Sequence, residues 1–289
     1  MKVKITADST SDLSEELIRR YDIAIAPHTV SLGERSGKDG IEITSEDIYA
    51  YVDRTGSLPK SSAISMWEYT ELFQHWRNEG YEIVHICIGS QFSSAFQNAT
   101  LAATEVGGAW VVDSKNLSTG QGHVVLYAAE LAANGASAAE IVAACDELAG
   151  RVEASFVVNT IDYLYKGGRC SALAALGANI LQIKPCINVV NGRMVPGKKY
   201  TGSIDRVIRS YVNDRLRDRT DIEQGRIFIT HTYCEPRTIE TVKTLIWEYC
   251  PDMQEILETT AGATVTSHCG PGTLGVLFIR KPAFKTEEN

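Results

Sequence analysis

The 289-residue sequence predicts an α/β protein of two domains. These are a parallel-sheet, three-layer α/β/α domain over residues 1–153 and a second α/β domain with a mixed or antiparallel sheet over residues 154–289. Three observations lead there. In the first half, apolar runs of strand length alternate with helix-length stretches, the pattern of parallel strands joined by crossover helices. In the second half, Asn191-Gly192 separates two apolar runs, a turn pair that favours an antiparallel hairpin. The length also exceeds what one core usually serves.

"VKITAD" (3–8) alternates like a short strand, and Asp12 with Glu15 three residues later marks a helix start. "DIAIAPHTVSL" (22–32) reads as a second strand region, and "GIEITSEDIYAYV" (40–52) as a turn and a helix. "EIVHICIG" (82–89) is a compact apolar run of a buried strand, followed by a helical pattern in "SQFSSAFQNATLAATEV". "AWVVDS" (109–114) is another strand, and alanine-rich helices fill 118–150. Past the boundary, "ASFVVNT" (154–160), the hairpin "PCINVVNGRMV" (185–195), "RIFITHT" (226–232), "EILETT" (255–260) and "LGVLFIR" (274–280) are strands. Helices are expected at 203–217 and 236–249, and the tail "KTEEN" is expected to fray.

Hydrophobic residues make up 44% and charged residues 22%, a globular rather than a disordered composition. The net charge of −8 speaks against nucleic acid and anionic membranes as main partners, since both reward positive charge. Glu130, Asn134 and Glu140 interrupt the most apolar stretch before it is long enough to span a bilayer, so stable membrane insertion is not expected. The start "MKVKITADST" turns polar too soon for a signal peptide. Seven scattered cysteines without C-x-x-C spacing favour reduced thiols in a cytoplasm over a disulfide framework or a zinc site. No metal site is expected.

Four places carry candidate chemistry. In "ICIGSQFSSAFQNA" (86–99) a strand end opens into a helix. Ser93, Ser94 and the free helix N–H groups either make an anion site or simply cap the helix. "LPKSSAIS" (58–65) offers Ser61 and Ser62, with Ser65 and Glu68 spaced as a capping box. "YKGGRCS" (165–171) sets Arg169 after two glycines; it is not a phosphate loop, and Arg169 either meets an anion or is a solvated surface residue. In "TSHCGPGTLGVLF" (266–278), His268 sits where the chain enters a loop before a buried strand. A catalytic pair of His268 with Cys269 is disfavoured, because strand neighbours point to opposite faces. A lone histidine is commonly structural.

Together with "ITADSTSDLSEE" and "YLYKGGRCSALAALGANILQIKP", these stretches resemble the DegV family of lipid-binding proteins, in order and spacing across nearly the whole chain. The resemblance implies a fatty acid held between two domains. It also implies, for members of the FakB type, presentation of that fatty acid to a separate ATP-binding kinase subunit that makes an acyl phosphate. By position, Ser93 matches the serine that contacts the carboxylate, and Ser61 or Ser62 matches the family's threonine-serine pair. His268 matches the histidine that orders the head-group network, and Arg169 matches the arginine associated with kinase action. Gly270 and Gly272 let backbone approach closely. The runs "LAALGANIL" and "ICIG" are expected to wall a tail tunnel. No cofactor is implied beyond the bound fatty acid. Three stretches depart from the family pattern: "SSAIS" replaces "TSQPS", Ser93-Ser94-Ala95 replaces "SGT", and Tyr200 stands where a basic residue is usual.

Burying ~15 methylenes at ~0.8 kcal/mol each gives ~12 kcal/mol gross, and association and ordering remove much of it. One hydrogen bond to a charged group contributes only ~1.5–3 kcal/mol. The tail therefore supplies affinity and the head-group residues supply orientation. Three alternatives stand beside this reading. The first is a hydrolase using Ser93 or Cys269 with His268, for which no G-x-S-x-G elbow is present. The others are a binder of another small carboxylate and a kinase in its own right.

Overall fold

A computed structural model describes residues 2–170 and 183–282. Its first sheet is parallel throughout, in the order β2-β1-β6-β7. The strands are β1 (Lys2–Asp8), β2 (Ala24–Ala26), β6 (Tyr81–Cys87) and β7 (Ala109–Asp113). Helices α3 (Met66–Asn78) and α4 (Ala95–Val106) cover one face, and α5 (Thr119–Ala133) and α6 (Ala138–Ala149) cover the other. This is the expected three-layer arrangement, and it places loops at the carboxyl ends of β1 and β6 beside each other.

Between those layers and the second sheet lies α5. Val124, Val125 and Leu126 share one core with Val84, Ile86 and Val112 of the parallel sheet and with Phe228, Leu277 and Ile279 of the second sheet. A helix buried between two sheets carries no polar stripe, which explains its run of small and apolar residues. His123 is the polar link there: its Nε2 lies 3.0 Å from the Leu277 carbonyl.

The second sheet is mixed, with the path β11-β10-β9-β14-β12-β13, and β8 also paired to β14. The strands are β8 (Val152–Glu153), β9 (Ser155–Val157), β10 (Lys184–Val190), β11 (Arg193–Tyr200), β12 (Ile222–His231), β13 (Glu255–Thr260) and β14 (Leu274–Arg280). β12 and β13 run parallel, and the other pairs are antiparallel. Asn191 and Gly192 turn the β10–β11 hairpin with φ of 50° and 76°, the left-handed backbone that a two-residue turn requires. Helices α8 (Ile204–Leu216) and α9 (Pro236–Tyr249) cover its outer face.

Two expectations need correction. The helix start assigned to Asp12 belongs to Ser14, whose Oγ accepts the Leu17 N–H at the head of α1 (Glu15–Arg20). Asp12 instead lies buried with φ of 49°, because its carboxylate accepts from the Gly262 N–H at 2.8 Å and from Ser118 Oγ at 2.5 Å. The single strand region 22–32 is two strands in two sheets. After β2 the chain crosses His28 into β3 (Thr29–Leu32), the centre of a small antiparallel sheet with β4 (Arg35–Lys38) and β5 (Lys60–Ser62). This third sheet packs with α2 (Ser45–Thr55), capped by Thr44, and with α10 (Ala263–Cys269).

Candidate functional site

Helix α10 carries the centre of the site. Its first N–H groups, at Gly262 and Ala263, donate to Asp12 and Asp39 at 2.8 and 2.7 Å, so side-chain carboxyl groups from the amino-terminal half anchor it. His268 and Cys269 therefore lie on a helix end and not on the approach to a strand. At that end Gly270 adopts φ of 69° with its α-carbon against the Tyr163 ring, where a Cβ would come within 2.5 Å of the ring. Gly270 thus serves packing and is not among the cavity residues.

The structure brings Ser61, Ser93, Arg169 and His268 to one cavity of about 510 Å³, with residues from both halves of the chain in its wall. Ser61 Oγ and His268 Nε2 are 2.8 Å apart. Ser93 Oγ accepts the Ala95 N–H at 3.1 Å, so the serine caps α4 and still faces the cavity. Ser65 and Glu68 form the expected capping box on α3. Ser62 and Ser94 are exposed and lie outside the cavity wall; Ser94 makes no capping bond.

Burial of the His268 ring, with the charges of Arg169 and His28, pushes its pKa down to about 4. The imidazole is therefore neutral near pH 7. Its Nδ1 has no partner among the described residues, and it nearly touches Gly167: a Cβ there would lie 2.6 Å away. With Nε2–H donating to Ser61, the serine hydroxyl is left to donate to a ligand oxygen; the opposite tautomer reverses this. Arg169 is exposed and its Nη1 donates to the Gly167 carbonyl at 2.7 Å.

Three polar wall residues escaped the sequence reading: Thr10, His28 and Thr264. Thr10 Oγ1 donates to Gln121 at 2.9 Å. His28 Nε2 and Thr264 Oγ1 are buried without a hydrogen-bond partner among the described residues. Only the S-T motif before Asp12 and the break Pro27-His28 between two strands signal them in sequence.

Behind the cavity lies the buried carboxylate of Asp8. It accepts from Tyr69 Oη at 2.5 Å, the Ile88 N–H at 2.8 Å and Cys87 Sγ at 3.1 Å, and His85 Nε2 is 3.1 Å away. Burial works to raise its pKa, but His28 and His85 outweigh burial and hold it well below the usual carboxylate range. Among the described residues, Asp8, His85 and Cys87 are the group whose donor atoms lie close enough to share a metal ion. Their mutual hydrogen bonds account for the cluster without one, and burial and the Asp8 charge keep the Cys87 thiol protonated.

A second, mainly apolar cavity of about 410 Å³ adjoins the first, and the two share Leu117, Val265 and Cys269. Phe156, Val189 and Leu277 extend its wall into the mixed sheet. Ile88 of the "ICIG" run lines the first cavity, whereas the "LAALGANIL" run lies outside the described residues. Hydrolase chemistry is not favoured here. Ser93 is not hydrogen-bonded to His268, and burial raises the Cys269 thiol to about 12. Among the described residues, the Ser61–His268 pair lacks a carboxylate to orient the ring. Tyr200, at the departure from the family pattern, is buried in the core under α8 and donates to Asp214 at 2.7 Å. Cys87, Cys145, Cys186, Cys234, Cys250 and Cys269 carry free thiols. Among the described residues, no helix is long and apolar enough to cross a membrane.

The profile of the DegV family of uncharacterised proteins matches residues 2–281. A DegV domain-containing protein of Caldanaerobacter subterraneus is 31% identical over 97% of this chain and 99% of its own. A fatty acid-binding protein of Thermotoga maritima is 30% identical, covering 95% of this chain and 96% of its own. A fatty-acid-binding DegV family protein of Thermus thermophilus, solved as a structure, superposes with a TM-score of 0.87 at 26% identity over 97% of this chain and all of the other. Since the profile spans almost the entire sequence and these relatives align end to end, the chain belongs to the DegV family.

Proposed function

We propose that this chain binds a long-chain fatty acid between its two halves, which meet near residue 153, and presents the carboxylate to a separate fatty acid kinase subunit in the cytoplasm. The observation that carries the binding is the junction of a polar cavity holding Ser61, Ser93 and His268 with an apolar cavity that shares its floor. A carboxylate in the first finds hydroxyl donors, and a tail in the second finds Leu117, Phe156, Val189 and Leu277. The T. maritima and T. thermophilus relatives, described as fatty-acid-binding, support the same reading. The kinase step rests on the resemblance and on Arg169, exposed at the wall of the polar cavity.

Organic extraction of protein purified from cells, followed by mass spectrometry, tests the binding. It should release long-chain fatty acid. A sample that releases none, and after delipidation takes up no oleate, contradicts the proposal. The division of labour is tested with ATP and Mg²⁺: the pure chain should make no acyl phosphate, and adding a kinase subunit should start its formation.

A further inference from the structure

We propose that His28 is a head-group residue: its imidazole, backed by the buried Asp8 carboxylate, contacts the anionic head group and reads its charge. The inference rests on the fatty-acid reading of the cavity and assigns a residue within it.

An anion leaving water for a part-buried cavity needs hydrogen-bond donors and a compensating charge. The wall offers three groups able to bear positive charge: Arg169, His268 and His28. Arg169 is exposed and its fork is turned to the Gly167 carbonyl. His268 is neutral near pH 7 and engaged with Ser61. His28 is only 2% exposed, and its Nε2 has no hydrogen-bond partner among the described residues.

The ring is held in place from behind. The His28 N–H donates to Ser9 Oγ at 3.1 Å, and its carbonyl accepts the Asp39 N–H at 2.9 Å. Its Nε2 stands 3.8 Å from Asp8 Oδ2, an ion-pair distance beyond hydrogen-bond reach. Asp8 cannot swing away, because Tyr69, His85, Cys87 and Ile88 all bind it. A fixed negative charge thus lies behind a ring set in the cavity wall. An N–H of the ring can donate to the carboxylate, and a hydrogen bond to an ionised acceptor is about twice as strong as one to a neutral hydroxyl, so a neutral head group gains less from the arrangement.

The test compares oleate with oleyl alcohol on the delipidated protein and on His28→Phe, which keeps a ring of similar size but has no N–H to donate. Oleate affinity should fall about tenfold in the variant, and oleyl alcohol affinity should stay within twofold. In the unaltered protein, the ring ¹⁵N resonances of His28 should shift on adding oleate and stay in place on adding oleyl alcohol, a readout that does not depend on the variant folding. Equal losses for both ligands, or no shift with bound oleate, would overturn the role of His28 and leave fatty-acid binding standing. Failure of the unaltered protein to bind oleate would overturn both.

Discussion

Ser61 Oγ and His268 Nε2, 207 positions apart in sequence, lie 2.8 Å from each other. The bond ties β5 of the small sheet to the end of α10, and so joins the two halves of the chain at the polar cavity. Since a hydrogen bond to a charged group contributes ~1.5–3 kcal/mol, Ser93→Ala or His268→Ala should weaken oleate binding by no more than ~3 kcal/mol. The carboxyl ¹³C resonance of bound oleate should broaden or split in both. Titration calorimetry checks the first point, and a loss beyond ~4 kcal/mol would show that the tail does not dominate.

Gly167 leaves room for His268. A Cβ at 167 would lie 2.6 Å from His268 Nδ1, at the last position of α7 (Asp162–Gly167), where alanine is otherwise welcome. Gly167→Ala should therefore displace the ring and lower stability by ~1–3 kcal/mol, the usual range for overpacking. A melting temperature equal to or above that of the unaltered protein would mean the ring moves freely.

Asp12 makes stability fall with rising pH. Burial first, and then the neighbouring Asp39 charge, raise its pKa from 3.8 to about 8, against the lowering effect of its bonds to Ser118 and Gly262. A carboxyl raised in the folded state contributes stability that is complete below about pH 4 and is lost as pH rises towards 8. Asp12→Asn does not titrate, so its gain in melting temperature over the unaltered protein should grow from pH 5 to pH 8 and level off above. A difference that stays constant with pH would contradict the assignment.

Arg169→Ala should slow acyl phosphate formation with a kinase subunit while leaving oleate affinity within twofold. The guanidinium is exposed and satisfied by a carbonyl, free to re-aim at a phosphate as its charge develops. Normal phosphorylation by the variant would remove Arg169 from the site.

Much of this was legible in the residues. The β10–β11 hairpin followed from Asn191-Gly192, whose backbone demand is local. The parallel sheet followed from runs such as 82–89, buried on both faces. Ser61, Ser93, Arg169 and His268 could be proposed from motif order, and the structure gathers them. What sequence concealed was set by tertiary contact. Asp12 looks like a helix cap because a carboxylate three residues before a glutamate usually is one; its actual partners are Ser118 and Gly262, invisible until the halves pack. His28 sits in an apolar-looking run, and its role depends on Asp8, brought near only by folding. The strands of the small sheet, three or four residues each, are too short to show a period.

The most direct measurement is a structure of the delipidated protein with oleate added. The carboxylate should lie within hydrogen-bond reach of Ser61 and Ser93, and the tail should pass Leu117 and Val265 towards Phe156, Val189 and Leu277. Oleate bound elsewhere on the molecule, or a polar cavity that stays free of it at saturating concentration, would contradict this.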